Sequence, residues 1–244
     1  MRADLCVVAP CFNEGANVRR LVRRVGEALK DHPGGFELAL VDDASRDDTW
    51  AQIEEAARAF PFVVPLRHRV NRGIVEGWRT GLSATKAPRI VTIDADMQYR
   101  PEDIPRLVRA MNASGADFVQ GWRQTQVKRG FLRVFLTGGL SLFLNLAFGM
   151  RLKDNKSGFV LYRRDAMERI LDFRAPFRHY QHFIAIAAHR LGLRIVQIPI
   201  TFDAREHGQS FITNPVRFAI GALVDLPRAL LHFGPFHRLM QGRA

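Results

Sequence analysis

In the stretch VTIDADMQYRPEDIP, residues 91–105, a mostly apolar run stops at two carboxylates two positions apart, Asp94 and Asp96. Carboxylates at that spacing, at a strand end where side-chain alternation breaks down, can present oxygens to a Mg2+ or Mn2+ ion that keeps some of its waters and binds substrate phosphates. Gln98 could add a carbonyl oxygen to the set. The bland alternative is a cap for the helix that begins at Pro101, because acidic residues favour a helix N-terminus. Three further polar clusters, PCFNEG (10–15), DDAS (42–45) and GWR (121–123), also sit at the ends of predicted strands and weigh for the cation. At the second of them, Asp42 or Asp43 could accept hydrogen bonds from a base or from ribose hydroxyls, or could serve as a helix cap.

Neither GxGxxG nor GxxxxGK occurs in the chain, so no glycine-rich backbone cradle is available for phosphates and a metal is the natural substitute. The 36 basic and 24 acidic residues leave a net charge of +12, and lysine appears only at positions 30, 86, 128, 153 and 156. Arginine grips phosphate through two parallel bonds, so the partner classes are phosphorylated ligands, anionic lipid and nucleic acid. The basic residues are scattered, with no nucleic-acid-binding module, and no nucleic-acid partner is expected. Cys6 and Cys11 are the two cysteines; their spacing suits neither a disulfide framework nor a metal site. The first residues enter a strand at once, with no signal-peptide pattern, so a cytoplasmic location is expected.

The elements that must position these groups follow from periodicity. LCVVAP (5–10), FELALVD (36–42), residues 62–67, RIVTID (89–94) and DFVQGW (117–122) read as strands. Between them, residues 14–31 carry Val18, Leu21, Val22, Val25 and Leu29 at helical spacing. A second helix should be capped by Ser45 or Asp47, and a third carries Gly73, Gly77 and Gly81, read as a face of close approach. A fourth starts at Pro101. Strands alternating with helices predict an α/β fold with a mainly parallel sheet covered on both faces, and ligands bind such sheets outside the carboxyl ends of the strands.

The ordered set PCFNEG, VDDASRDDT, NRGIVEGWRTGL, DADMQYRPEDIP, GWR, DNKSGFVLYRRDAM and PITFDAREHGQS resembles the GT-A glycosyltransferases of family 2, in the branch of dolichol-phosphate mannose synthase and the polyprenyl-phosphate glycosyltransferases. The resemblance implies a Rossmann-like GT-A catalytic domain over residues 1–212, followed by C-terminal amphipathic interface helices over 213–244. It also implies site roles. Pro10, Phe12, Asn13 and Glu14 match the residues that embrace the nucleotide, Phe12 standing where tyrosine is usual. Val41, Asp42 and Asp43 match the base and ribose contacts, and Asp94, Ala95 and Asp96 the metal and diphosphate loop, with Gln98 as a further metal ligand. Arg123 matches the arginine that meets donor or acceptor phosphate, with Asp96 and Arg123 carrying catalysis. Asp154 and Ser157 fall beside the acceptor phosphate, and Arg205 and Ser210 on the R-x-x-G-x-S closing loop. The chain departs from the pattern at Gln197, where glutamate is common, and at Gln209 and Phe211, where lysine is.

Between Asp172 and Asp203 there is no acidic residue. Transfer to a hydroxyl needs a general base near the anomeric carbon, whereas a phosphate acceptor is already anionic. The gap favours a polyprenyl phosphate over a sugar or protein hydroxyl, although His179 could stand in as a base. His179, His182 and His189 are compatible with one helical face and His207 lies in the closing loop; a pair at i, i+3 can bind metal or be ordinary surface and core histidines. Residues 134–150 are uncharged, short for a membrane span, and fit a helix lying in the interface or a core helix. Residues 214–239 alternate apolar stretches with Arg217, Asp225 and Arg228, as interfacial helices meeting anionic head groups do, or as helices packed on the sheet or on a second subunit do. The expected partners are thus a nucleotide-diphosphate sugar, a polyprenyl phosphate and an anionic membrane surface. A second copy of the chain and a membrane-anchoring partner are the alternatives for assembly, and the expected place is the inner face of the cytoplasmic membrane.

Overall fold

Leu5–Cys11 (β1) is buried along nearly its whole length, as a strand in the middle of a sheet covered on both faces must be. The structure is a computed structural model that describes residues 3–125, 142–172, 180, 183–204, 225 and 227. After β1 come Gly15–Leu29 (α1), Phe36–Asp42 (β2), Thr49–Ala59 (α2), Val63–Arg67 (β3), Ile74–Ala84 (α3) and Arg89–Thr92 (β4). A 3-10 turn, Pro101–Asp103, opens Ile104–Ser114 (α4), followed by Phe118–Thr125 (β5), Val160–Arg163 (β6), Arg164–Leu171 (α5), Ile184–Arg190 (α6) and Ile195–Phe202 (β7). Residues 142–148 are helical as well.

The described strands form one sheet in the order β3-β2-β1-β4-β6-β5-β7. β1 pairs in parallel with β2 and β4, β2 with β3, and β5 with β7, while β6 runs antiparallel between β4 and β5. The sheet is therefore mainly parallel, as predicted, with one reversed strand wedged into its middle. Each face carries its own core. One is built with α1, α2 and α4 and includes Val18, Leu21, Val22, Val25 and Leu29, all buried. The other is built with α3, α5 and α6 and takes in Leu144 and Phe148. Full burial of such side chains contributes about 1.5–3 kcal/mol each.

Helix α3 lies close on β1 because two of its turns present no side chain. A Cβ at Gly77 would stand 2.8 Å from the Pro10 side chain, and one at Gly81 only 2.3 Å from Val8 Cγ1. Gly73 does not belong to that face: a Cβ there would meet nothing within 4 Å, and its φ of +84° at the N-cap of α3 explains the glycine instead. Gly81→Ala gains at most about 1 kcal/mol of helix propensity and forces β1 and α3 apart, which costs about 1–3 kcal/mol. A net loss of stability in a urea titration is the expected result.

At the opposite end of the sheet, Asp4 accepts a hydrogen bond from Arg89 Nη2 and pairs with His32 Nε2 at 2.9 Å. Burial lowers the His32 pKa from its ordinary value. Between the folded value and the unfolded one, near 6.5, the unfolded chain binds more protons, so this contribution to stability is complete above about pH 6.5 and declines as the pH falls. His32→Gln is expected to flatten the stability profile across that window, read as Tm against pH.

Cys6 and Cys11 are free and buried. Arg205, Ser210, His179, His182, His207, Gln209 and Phe211 lie outside the described residues, as does the 213–244 segment apart from Asp225 and Pro227.

Candidate active site

The loops leaving β1 and β2 are laced together. Asn13 N–H donates to Ser45 Oγ at 2.9 Å, and Asn13 Oδ1 accepts from Arg46 N–H at 2.8 Å. Glu14 N–H donates to Thr49 Oγ1 and Gly15 N–H to Asp47 Oδ2. Ser45 is thereby spent across the two loops, whereas Asp47 Oδ1 also accepts the N–H of Thr49, the first of α2, at 3.0 Å, as predicted for a cap of that helix. Its N-cap residue is Asp48, without a side-chain cap bond. Asp47 receives the first N–H of α1 as well, and although burial opposes it, hydrogen bonds from Thr49 and Gly15 hold its carboxyl below the usual range. Pro10 and Val41 are register partners on β1 and β2, and Phe12 and Glu14 are half-buried beside them.

Asp42 and Asp43 face inward. Asp42, 0% exposed, accepts the Ser45 N–H on Oδ1, and Arg67 Nε stands 3.2 Å from Oδ2. The Arg67 guanidinium also lies 5.1 Å over the Trp50 ring. Asp43, 3% exposed, accepts the N–H groups of Arg72 and Gly73, both at 2.8 Å, and pairs with His68 Nδ1 at 2.7 Å. His68 Nε2 is in turn 2.8 Å from Thr80 Oγ1. Both carboxylates of the DD pair thus shape the loops around the strand end, with Asp43 anchoring the 71–73 turn.

β4 stops at Thr92, and the chain turns through Asp94, Ala95 and Asp96. Asp96 is buried and its Oδ1 accepts Gln98 N–H at 3.1 Å. Met97, between them, has φ of 64°. The non-glycine residues with positive φ among those described are Asn13, Ala44 and Met97, one in each of the loops leaving β1, β2 and β4. Such backbone costs about 1–3 kcal/mol per residue and clusters where a chain must aim functional groups. Gln98 is tied to the end of β7: its Nε2 donates to Asp203 O, and its own carbonyl accepts Asp203 N–H. Among the described residues no group of three or more His, Cys, Asp or Glu side chains could hold a metal. Two carboxylates with hard oxygens fit an ion that fills its shell with water and a substrate diphosphate, the habit of Mg2+.

The Asp94 carboxylate faces Gly158, whose ideal Cβ would be 3.7 Å from Oδ1. Its negative charge reaches both Arg123 and Tyr99. Arg123, near the end of β5, grips Asp154 through Nε at 2.7 Å and Nη2 at 3.1 Å, and lies 5.3 Å over the Phe202 ring. Burial works against the charge of each partner, but the pairing prevails: the arginine pKa is raised and that of Asp154 is held below its usual range. Ser157 is buried, its hydroxyl donating to Tyr99 Oη at 3.3 Å, and Tyr99 Oη also accepts Gly158 N–H. Burial pushes the Tyr99 hydroxyl up to about 12.

The structure therefore brings Asp94, Asp96, Arg123 and Asp154 to one end of the sheet, and uses Ser157, Gln98, Asp42 and Asp43 to hold the loops there. Tyr99 escaped sequence reasoning; its place directly after DADMQ was the available signal.

A family model described as glycosyl transferase family 2 matches residues 6–171. An undecaprenyl-phosphate 4-deoxy-4-formamido-L-arabinose transferase of Pseudomonas fluorescens is 34% identical over 225 residues, covering 90% of this chain and 63% of that protein. A dodecaprenyl-phosphate galacturonate synthase of Rhizobium johnstonii is 29% identical, covering 85% and 61%. A dolichol-phosphate mannosyltransferase of Pyrococcus furiosus is 28% identical, covering 87% and 60%. The chain thus spans less than two thirds of the length of these relatives. Among solved structures, glucosyl-3-phosphoglycerate synthase from Mycobacterium tuberculosis, in complex with Mn2+, UDP and glucosyl-3-phosphoglycerate, superposes with a TM-score of 0.69 at 21% identity, covering 94% of this chain and 79% of that one. A mannosyltransferase from Pyrobaculum calidifontis, in complex with GDP-Man and Mn2+, gives 0.66 at 16% identity, covering 94% and 65%. At these identities the two structures speak for the fold.

Proposed function

The chain belongs to glycosyl transferase family 2, and from that premise we propose that it is an inverting glycosyltransferase moving a sugar from a nucleotide-diphosphate donor to a polyprenyl phosphate at the cytoplasmic face of a membrane. The observation that carries this is the arrangement around Arg123: a guanidinium fixed by Asp154 and within the field of Asp94. A permanent positive charge next to two carboxylates suits a site where two phosphate groups crowd together.

Asp94 and Asp96 would hold a Mg2+ or Mn2+ ion, which when bound neutralises charge on a diphosphate. The Mn2+ complexes among the structural neighbours support that choice of ion class. Arg123 supplies a preorganised charge where phosphate oxygens gather, and Asp154 keeps its fork from swinging away. Orientation by these fixed groups does the rest, because an anionic acceptor needs no deprotonation before it attacks the anomeric carbon. The lack of any acidic residue between Asp172 and Asp203 supports a phosphate acceptor. The relatives named for undecaprenyl, dodecaprenyl and dolichol phosphate support the same class.

Leu142, Phe143 and Leu146 support contact with a membrane surface: they are 60%, 45% and 75% exposed on the helical stretch whose other side, Leu144 and Phe148, is buried in the core. Exposed Arg151 and Lys153 follow directly, placed for anionic head groups. Among the described residues no helix is long and apolar enough to cross a membrane; the one-sided apolar face of residues 142–148 supports a helix lying on the surface. A second copy or an anchoring partner remains part of the same proposal.

The test is incubation of the full chain with labelled UDP-, GDP- and dTDP-sugars, Mn2+ or Mg2+, and polyprenyl phosphate. Label extractable into organic solvent is the expected result. Label confined to a water-soluble acceptor, or tight donor binding without turnover, overturns the proposal.

A further inference from the structure

Residues 153–158, which carry Asp154, lie outside any helix or strand, so their backbone polar groups need partners from elsewhere. Two glutamines supply them. Gln120 on β5 and Gln197 on β7 are register partners in the parallel pair, and Gln120 is 1% exposed. Gln197 Oε1 accepts Lys153 N–H at 2.7 Å, while its Nε2 donates to Asp154 O and to Gln120 Oε1, both at 2.8 Å. Gln120 Nε2 then donates to Ser157 O at 2.8 Å. The groups facing Gln197 Nε2 are both acceptors, and the group facing Oε1 is a donor. An amide meets that demand, whereas an ionised carboxylate at the same length has no hydrogen to give.

We propose that Gln197, acting through Gln120, is a positioning residue: the amide pair fixes the 153–157 backbone so that the Asp154 carboxylate meets Arg123 with both oxygens, which sets the guanidinium's orientation toward phosphate. The phosphate role rests on the function proposed above, whereas the clamp itself does not. Gln197→Glu places an oxygen against the Asp154 carbonyl. Turning the Gln120 amide over to meet it would put Gln120 Oε1 against Ser157 O, so the conflict moves without disappearing. Protonation of the introduced carboxyl restores one donor.

Two readouts on the full chain test this. The first is the Arg123 Nε–H resonance in 15N–1H spectra, assigned by its absence in Arg123→Lys; a side chain clamped by a carboxylate gives a slowly exchanging signal. It should be lost in Gln197→Glu at neutral pH and return as the pH is lowered, within one sample. In Gln197→Met, which removes both donors without adding charge, it should be lost at every pH. The second is transfer to polyprenyl phosphate: Gln197→Glu should lower kcat by about 10–100-fold with the donor KM changed less than twofold, and its activity relative to the parent chain should rise toward lower pH. An unchanged Arg123 signal in both variants overturns the clamp. A signal lost in both variants at all pH values, with no recovery in Gln197→Glu, overturns the donor argument. If the parent chain transfers no sugar to lipid phosphate, the proposed function fails and the resonance arm still decides the clamp.

Discussion

Asp96→Asn is expected to lower sugar transfer on the order of 10³-fold, the rate equivalent of the several kcal/mol that a held divalent ion lends to a phosphoryl oxygen. Asparagine is the informative replacement because it keeps an Oδ1 to accept the Gln98 N–H, the bond that shapes the turn through Met97. The charge is removed and the loop stays. Thermal unfolding should therefore shift little, while the Mn2+-dependent gain in donor affinity, measured by calorimetry with and without the ion, disappears. Equal donor affinity with and without Mn2+ in the parent chain would count against a metal at Asp94 and Asp96.

Arg123→Ala is expected to lose turnover by about 10²–10³-fold, the usual effect of deleting one preorganised donor from a site of developing charge, with a much smaller change in nucleotide affinity. It should also cost about 3 kcal/mol of stability, because Asp154 is left without its partner in a mostly buried place. The two losses can be separated. Adding Asp154→Asn should recover most of the stability and none of the turnover. Equal loss of donor binding and kcat would contradict a role for Arg123 when phosphates crowd together.

The sequence was most legible where burial and periodicity coincide. Val18, Leu21, Val22, Val25 and Leu29 mark one face of α1, and all of them are buried as that spacing requires. The four strand ends were also readable, because a polar cluster after an apolar run has one place to go in a parallel sheet. What the residues at those ends do was harder to read. Asp42 and Asp43 were read as ligand contacts; in the structure Asp42 Oδ1 accepts Ser45 N–H and both Asp43 oxygens are engaged by Arg72, Gly73 and His68, and a carboxylate's partner is not written in its neighbours. Ser157, read as an acceptor contact, is turned to Tyr99. The left-handed turns at Ala44 and Met97 leave no glycine as a signal. Gln197 stood out only as a departure from a pattern, since its partner Gln120 lies 77 positions away and is joined to it solely by the pairing of β5 with β7.

That pairing bears on the order in which the molecule can assemble. β3, β2, β1 and β4 are contiguous in the sheet and complete within the first 92 residues, so this half can condense while the remainder is still being synthesised. β5 has to wait for both of its neighbours, β6 and β7, and the long closure this demands slows its docking. The half of the site built on β1, β2 and β4 is thus poised to mature before the half bearing Arg123, and a nascent chain halted before residue 195 would hold β5 with one edge unpaired, a sticky intermediate of the kind chaperones shield.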